Sequence, residues 1–281
     1  MRDINKRIQK ALIYILMIVI CFILISPLVM LLSYSFRARS EIITTDMHFF
    51  TKKPTISAYK NMFTHKIGGS SFLTWLKNSV LTCVVSTIIA TYASALGGYG
   101  FVRYRFPGRR LFFFAIFFSQ LMPWMVLLLP YYALLVKIKG LDSLWSLGLL
   151  YLTISVPLST WLFIGFFKNH PKTLEEAAMC DGCSVFGVFH RIVLPLVAPS
   201  LTAIALFSFI VGWGDFLFSS VIISSVKNFT LPLALIGLKG EYEILWPEIL
   251  AMASIMTVPV VALFLVMQKY IVYALAGGIK E

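Results

Sequence analysis

The sequence predicts an all-α, polytopic transmembrane helix bundle of six spans, and three observations predict it. Of the 281 residues, 59% are hydrophobic and only 13% are charged, where an ordinary soluble domain carries roughly a quarter charged. Mean hydropathy is +0.87. Six nearly uncharged runs are each long enough to cross a bilayer, which takes about 20 residues. A soluble fold of this length could not hide so much apolar surface. Disorder, collagen and a disulfide scaffold are excluded on the same composition. The formal charge of +12 would suggest nucleic acid for a soluble chain. Here the Lys and Arg residues sit in short segments between apolar runs, as expected beside anionic lipid headgroups.

In chain order the runs are 11–33, 78–101, 111–134, 144–167, 200–225 and 249–272, which make 1–281 a single transmembrane domain. Arg2, Lys6, Arg7 and Lys10 precede the first run like the start of a signal peptide. The run stays uncharged from Ala11 to Phe36, well beyond a signal core of about 7–15 residues, and no small-residue cleavage site follows. It reads as a transmembrane helix. Segment 34–77 is too polar to span and has turn signals at Pro54 and Gly68-Gly69, so short surface helices outside the membrane are expected. Ala95, Gly97, Gly98 and Gly100 end the second run and permit close helix packing. Pro27, Pro123, Pro130, Pro157 and Pro259 lie within runs, where they kink helices and free carbonyls that need partners in the bundle.

Six spans put both termini on one side. The densest basic clusters are the N-terminal one and Arg103, Arg105, Arg109, Arg110, and they favour an inside N-terminus. Arg37 and Arg39 oppose it. Within the runs the only charges are Asp215 and, near an end, Lys269. Asp215 is the sixteenth residue of its run, just past the midplane at about 1.5 Å per residue. It should face the bundle axis or a helix neighbour. That makes it a candidate for a translocation pathway, or else a structural hydrogen bond between helices. Gly212 and Gly214 beside it leave room for a cavity or a close helix. Trp124, Trp161 and Trp213 offer flat stacking faces, and Trp124 and Trp213 are taken as further pathway candidates, although Trp also gathers at membrane interfaces.

Segment 168–199 carries the strongest local signals. Thr173 with Glu176 reads as a capping box behind Pro171, so a helix should start there. Gly182 reads as its C-cap. Ser184 can then cap a second short helix through Val193, stopped by Pro195. Leu174, Ala177, Ala178, Val185, Phe186 and Phe189 give the pair an apolar face, while Glu176 and Asp181 offer acceptors. Cys180 and Cys183 have CxxC spacing, but no second such pair exists and His170 and His190 supply no ligand pattern. The pair is read as incidental, with no metal site. No His, Asp and Glu cluster has acid–base spacing, so no catalytic residue is assigned.

Glu176-Ala177-Ala178, three residues, Gly182, nine residues and Ile192-x-Leu194-Pro195 resemble the EAA loop of ABC importer permeases at every fixed position. The likeness extends over nearly the whole chain and is strongest to carbohydrate-uptake permeases of the maltose-transporter type. Trp75-x-x-Asn78-Ser79, Arg103-x-x-Phe106-x-Gly108-Arg109, Pro130-Tyr131-Tyr132, Trp213-Gly214-Asp215-Phe216 and Thr230-Leu231-Pro232 are similar too. The family usually has Asn where this chain has Gly214.

The resemblance implies a sugar permease subunit in a bacterial cell membrane, with both termini cytoplasmic. It implies an ATPase docked on the loop through Glu176, Ala177, Ala178, Asp181, Gly182, Ile192, Leu194 and Pro195, driving alternating access. It also implies a second homologous permease, two cytoplasmic ATPase subunits and an extracytoplasmic solute-binding protein as partners. The chain has no G-x-x-x-x-G-K-[ST] phosphate loop, so it holds no cofactor itself. ATP and Mg²⁺ would bind the separate ATPase subunits. A secondary transporter or channel uncoupled from an ATPase is the alternative, but it would need no docking loop.

Overall fold

The structure, a computed structural model, describes residues 2–42, 50–51, 53–64, 66, 68–238 and 244–276. Among the described residues there is no strand. The helices are α1 (Arg2–Ser35), α2 (Arg39–Ile42), α3 (Ser57–Thr64), α4 (Phe72–Arg103), α5 (Arg109–Ser119), α6 (Trp124–Lys137) and α7 (Leu144–Lys168). They continue as α8 (Thr173–Cys180), α9 (Val185–Val188), a π-turn (Phe189–Val193), α10 (Leu194–Leu196), α11 (Ala198–Trp213), α12 (Leu217–Ile222), a 3₁₀ turn (Val226–Asn228), α13 (Leu231–Gly237) and α14 (Trp246–Ala276). Segment 34–77 carries α2 and α3, and parts of it lie outside the described residues, as do 277–281.

The chain divides into two compact units, Met1–His65 with Leu235–Val258 and Lys66–Ala234 with Pro259–Glu281. In the first, α1 is a 34-residue helix, about 50 Å long. Pro27 removes the N–H that would bond the carbonyl of Ile23, and the Ser26 hydroxyl donates to that carbonyl instead, at 2.9 Å. The proline therefore leaves the helix continuous. Beyond α1, the Tyr59 and Ser35 hydroxyls meet at 2.7 Å and Thr55 N–H donates to Phe36 O at 2.8 Å. Asn61 donates to Glu248 at 3.1 Å.

The second unit is built on α4, α7 and α11, which pack against one another. Along the buried face of α4 runs a stripe of small residues, Ser79, Cys83, Ser86, Ala90, Ser94 and Gly98, spaced three or four apart. In a membrane, where burying apolar side chains between helices brings little gain, small residues bring backbones close enough for dispersion contacts and hydrogen bonds. Ser94 donates to Val156 O across the contact at 3.2 Å. A Cβ added at Gly98 would lie 2.6 Å from Phe163 Cβ, so the α4–α7 approach requires glycine there.

Two of the expected runs are broken helices. Run 111–134 is occupied by α5 and α6, which meet at 103°. Run 200–225 holds α11, a break at Gly214–Phe216 and α12. At the start of run five, the helical stretch Val185–Leu196 meets α11 at 81°.

Candidate functional site

Helix α8 ends as its sequence dictates. Gly182 takes φ +86°, a conformation costing a residue with a Cβ about 1–2 kcal/mol. Cys183 N–H donates to Ala178 O at 2.9 Å and Gly182 N–H to Met179 O at 3.1 Å. Together these bonds form a Schellman turn. Ser184 then caps α9, its hydroxyl accepting from Gly187 N–H at 3.1 Å.

The start of α8 departs from the capping-box expectation. Lys172 occupies the N-cap position and no side chain caps it. Thr173 is already helical, so its hydroxyl is not placed to receive the free N–H groups of the first turn. Pro195 does not stop the second helix either. The chain widens into the π-turn, with Leu194 N–H bonded to Phe189 O, and helix continues through Leu196. A wider turn leaves room for the proline ring that an α-turn would not.

The expected single apolar face is split in two. Phe189 turns inward with Val188 and Val193, joining a core of Ala95, Tyr99, Phe163, Phe167, Val197 and Ile204 that ties the loop to α4, α7 and α11. Leu174, Met179, Val185 and Phe186 turn outward, Phe186 being 66% exposed. Glu176 and Ala177 are exposed as well, with Ala178 half-buried. Asp181, Gly182 and Pro195 are exposed, and Ile192 and Leu194 are half-buried, Leu194 against the core.

Sequence reasoning passed over Glu175. It is 6% exposed and its carboxylate accepts from Arg103 Nη2 at 2.6 Å, from Arg103 Nε at 2.9 Å and from the Tyr99 hydroxyl at 3.0 Å. Arg103 Nη2 also donates to His170 O at 3.2 Å. This buried cluster fixes α8 to the end of α4. The available signal was periodic: Glu175 and Ala178, three apart, share the inward side of α8. Cys180 is exposed and Cys183 half-buried, both as free thiols. Among the described residues no three His, Cys, Asp or Glu side chains are grouped to hold a metal.

The second candidate region is a cavity of about 1000 Å³ lined by the stretch Gln120–Met125, by Tyr151 and by Gly214–Phe218. Both helix breaks therefore face it, as expected where non-helical backbone at membrane depth must line a cavity or be buried in protein. Trp124 and Asp215 meet here. Trp213 does not line it; it is 4% exposed and stacks on Phe209 with centroids 5.3 Å apart. Although Asp215 lines the cavity, its oxygens are engaged. Oδ1 accepts from Phe218 N–H at 3.1 Å, and Oδ2 from Ser219 N–H and the Tyr151 hydroxyl, each at 3.0 Å. It caps α12 and holds that cap against α7. Gly212 serves the close helix, since a Cβ there would meet Tyr151 at 2.9 Å.

At the opposite end of α4, a chain of loop contacts was invisible in the sequence. Trp75 Nε1 donates to Val226 O at 2.9 Å. Asn78 donates to Lys227 O at 2.8 Å and Phe229 O at 3.0 Å. Ser79 Oγ accepts from Leu231 N–H at 2.7 Å. The Asp142 carboxylate accepts from Ser224 N–H at 3.0 Å and Ser225 N–H at 2.8 Å, and from the Ser225 hydroxyl. Burial pushes the Asp142 carboxyl up, but the Ser225 and Ser224 donors outweigh it and hold it below the usual carboxylate range.

Residues 89–276 match the family described as the binding-protein-dependent transport system inner membrane component. The chain is 32% identical over 263 residues to the arabinooligosaccharides transport system permease protein of Halalkalibacterium halodurans, covering 93% of each chain. It is 30% identical over 280 residues to the maltodextrin transport system permease protein of Bacillus subtilis, covering 98% of each. A crystal structure of a bacterial ABC transporter involved in the import of the acidic polysaccharide alginate matches with a TM-score of 0.80 at 20% identity. That match covers 95% of this chain and 98% of the other, and it is a likeness of fold.

Proposed function

The chain belongs to the family of binding-protein-dependent transport system inner membrane components, and from that premise we propose that it passes an oligosaccharide or related sugar across the membrane on a stroke delivered by separate ATPase subunits. It is a permease component of an importer, a multi-pass protein of a bacterial membrane, and not an enzyme.

One observation carries the coupling: α8 and α9 leave Leu174, Met179, Val185 and Phe186 exposed, while Glu175, next to Glu176 on α8, is tied to Arg103 in a buried pair. An ATPase groove that receives Leu174, Met179, Val185 and Phe186 would bury them, and Glu176 would accept a hydrogen bond at the rim. Closure of the ATPase then pushes α8. Arg103 and Tyr99 transmit the push to α4, and the Phe189 core transmits it to α7 and α11. The cavity lined by Trp124 and Asp215 is the segment of the pathway this subunit contributes. Trp124 offers a stacking face and Asp215 keeps the wall in shape.

In this reading the loop 168–199 and both termini are cytoplasmic, and 1–281 acts as one membrane domain. A second homologous permease completes the pathway, two ATPase subunits bind ATP and Mg²⁺, and an extracytoplasmic binding protein delivers the sugar. Support for a sugar comes from the arabinooligosaccharide and maltodextrin systems of the two relatives.

The test is hydrolysis stimulated by binding protein in vesicles that hold the complete transporter. Glu176→Lys and Gly182→Pro should each reduce it while membrane insertion is retained. Unaltered stimulation in both would overturn the coupling role. Separately, a cysteine at position 60 should be labelled only from outside the cell.

A further inference from the structure

A basic cavity lies where the ends of α4, α5 and α7 come together, and it shares no lining residue with the Asp215 cavity. It measures about 410 Å³ and is lined by Arg109, Arg110 and Lys168 together with Phe101, Phe113 and Ile164 among others. No acidic side chain lines it. Among the described residues no hydrogen bond or ion pair engages the Arg109, Arg110 or Lys168 side chains. Three cations thus converge without an anion. Helix α5 begins at Arg109 with no side-chain cap, so the positive end of its dipole adds to the same field.

The cavity continues into an apolar trough. A second space of about 380 Å³ shares Phe113, Ile164 and Lys168 with the first and runs along α7 past Gly165 to Trp161. A Cβ built on Gly165 would find no atom within 4 Å. The glycine is not needed for close packing, so it leaves the floor of the trough open. A soluble phosphate would use the basic end alone and have no use for the trough. An anionic group joined to an acyl chain uses both.

We propose that this cavity and trough bind one anionic phospholipid, its phosphate held by Arg109, Arg110 and Lys168 and one acyl chain lying over Gly165. Clustered basic residues between membrane helices on the cytoplasmic side suit acidic headgroups. The aromatic side chains of Phe113 and Trp161 pack on the chain near the interface. The inference goes beyond the function proposed above and does not depend on ATPase coupling.

Native mass spectrometry of the full chain, released from bilayers of mixed phosphatidylglycerol and phosphatidylcholine, tests it. The wild type should retain phosphatidylglycerol selectively. Each neutralised charge should lower retention about fivefold, so Arg110→Gln with Lys168→Gln should lower it about 25-fold. Both residues are exposed, and the double variant should melt like the wild type. Gly165→Leu fills the trough and should reduce retention with all three charges present. Arg105→Gln, one charge fewer on the same loop but outside the lining, should retain lipid normally. Equal losses in Arg105→Gln and the double variant would overturn the site in favour of general charge attraction. Displacement of the lipid by inorganic phosphate, or full retention in Gly165→Leu, would overturn the lipid assignment.

Discussion

At the Trp75 end of the α4–α7–α11 bundle, polar side chains satisfy the chain's own loops, whereas at the Glu175 end large apolar side chains are left exposed on the same short helices that one buried ion pair anchors. Trp75, Asn78, Ser79 and Asp142 reach backbone groups of 224–231, as much as 152 residues away in sequence. Those loops are closed by the chain's own side chains. At the other end Glu175 and Arg103 consume each other's charge, each side chain 8% exposed, while Phe186 and Leu174 stay in the open. A permease needs both: a fixed frame to work against, and a surface whose completion belongs to another subunit. Substitutions at the two ends should therefore separate stability from coupling.

The largest effect is expected at the ion pair. Arg103→Ala leaves Glu175 buried without its cation, which typically costs about 3–5 kcal/mol, and thermal unfolding of the purified chain should register it. The double variant Arg103→Met, Glu175→Met should recover most of that loss, because two apolar groups replace the pair. Recovered stability without recovered binding-protein-stimulated hydrolysis would assign the pair to transmission. If the double variant restores both, the pair serves stability alone.

Phe186→Ser sharpens the contrast from the other side. At 66% exposure the ring does little for the isolated chain, and its stability should change by no more than about 0.5 kcal/mol. Its burial against an ATPase would contribute about 1.5–3 kcal/mol, so association measured by co-purification should weaken accordingly. A stability loss with unchanged association would make Phe186 part of the frame.

What was legible follows the same division. The all-α membrane architecture was readable because long uncharged runs have no other solvent. The turn at Gly182 and the cap at Ser184 were readable because their partners lie within five residues. Glu175 was missed because its partner is 72 residues away, and a box through Thr173 and Glu176 looked sufficient locally. Pro123 marked a kink in its run, but the size of that bend, 103°, and the break at Gly214–Phe216 were hidden inside continuous hydropathy. A run of apolar residues reports which solvent it faces and not whether its axis bends. Pro195 misled because its effect depends on a π-turn formed by tertiary packing of Phe189 and Val193.

A smaller effect is expected at the Trp75 end. Asp142→Ala removes an acceptor used by two N–H groups and one hydroxyl, and should cost about 1 kcal/mol with hydrolysis still stimulated. Its pH dependence has a definite sign. The folded carboxyl titrates below its unfolded value, about 3.9. The stabilisation is therefore complete above that value and disappears as pH falls through the lowered folded one. Melting curves of wild type and Asp142→Ala should differ at neutral pH and converge as acid protonates the group. A constant gap across that range would mean that the carboxylate's charge is irrelevant to the clamp.

A conservative change with a small expected effect is Asp215→Asn, at a residue that combines features of both ends. Like Asp142 it caps nearby N–H groups, yet it lines the cavity assigned to the pathway. Asn keeps one acceptor oxygen and the side chain's shape. One of the two N–H groups of α12 remains capped, and the Tyr151 hydroxyl can rotate to accept from the new amide. Asp215→Asn should thus cost less than about 1 kcal/mol, whereas Asp215→Ala removes the cap and should cost about 1–2 kcal/mol. Transport separates the two roles. If the carboxylate acts only as a cap, Asp215→Asn should carry sugar at the wild-type rate and Asp215→Ala should lose rate in step with stability. A changed sugar preference in Asp215→Asn, at unchanged melting point, would mean that the charge itself is felt by the solute.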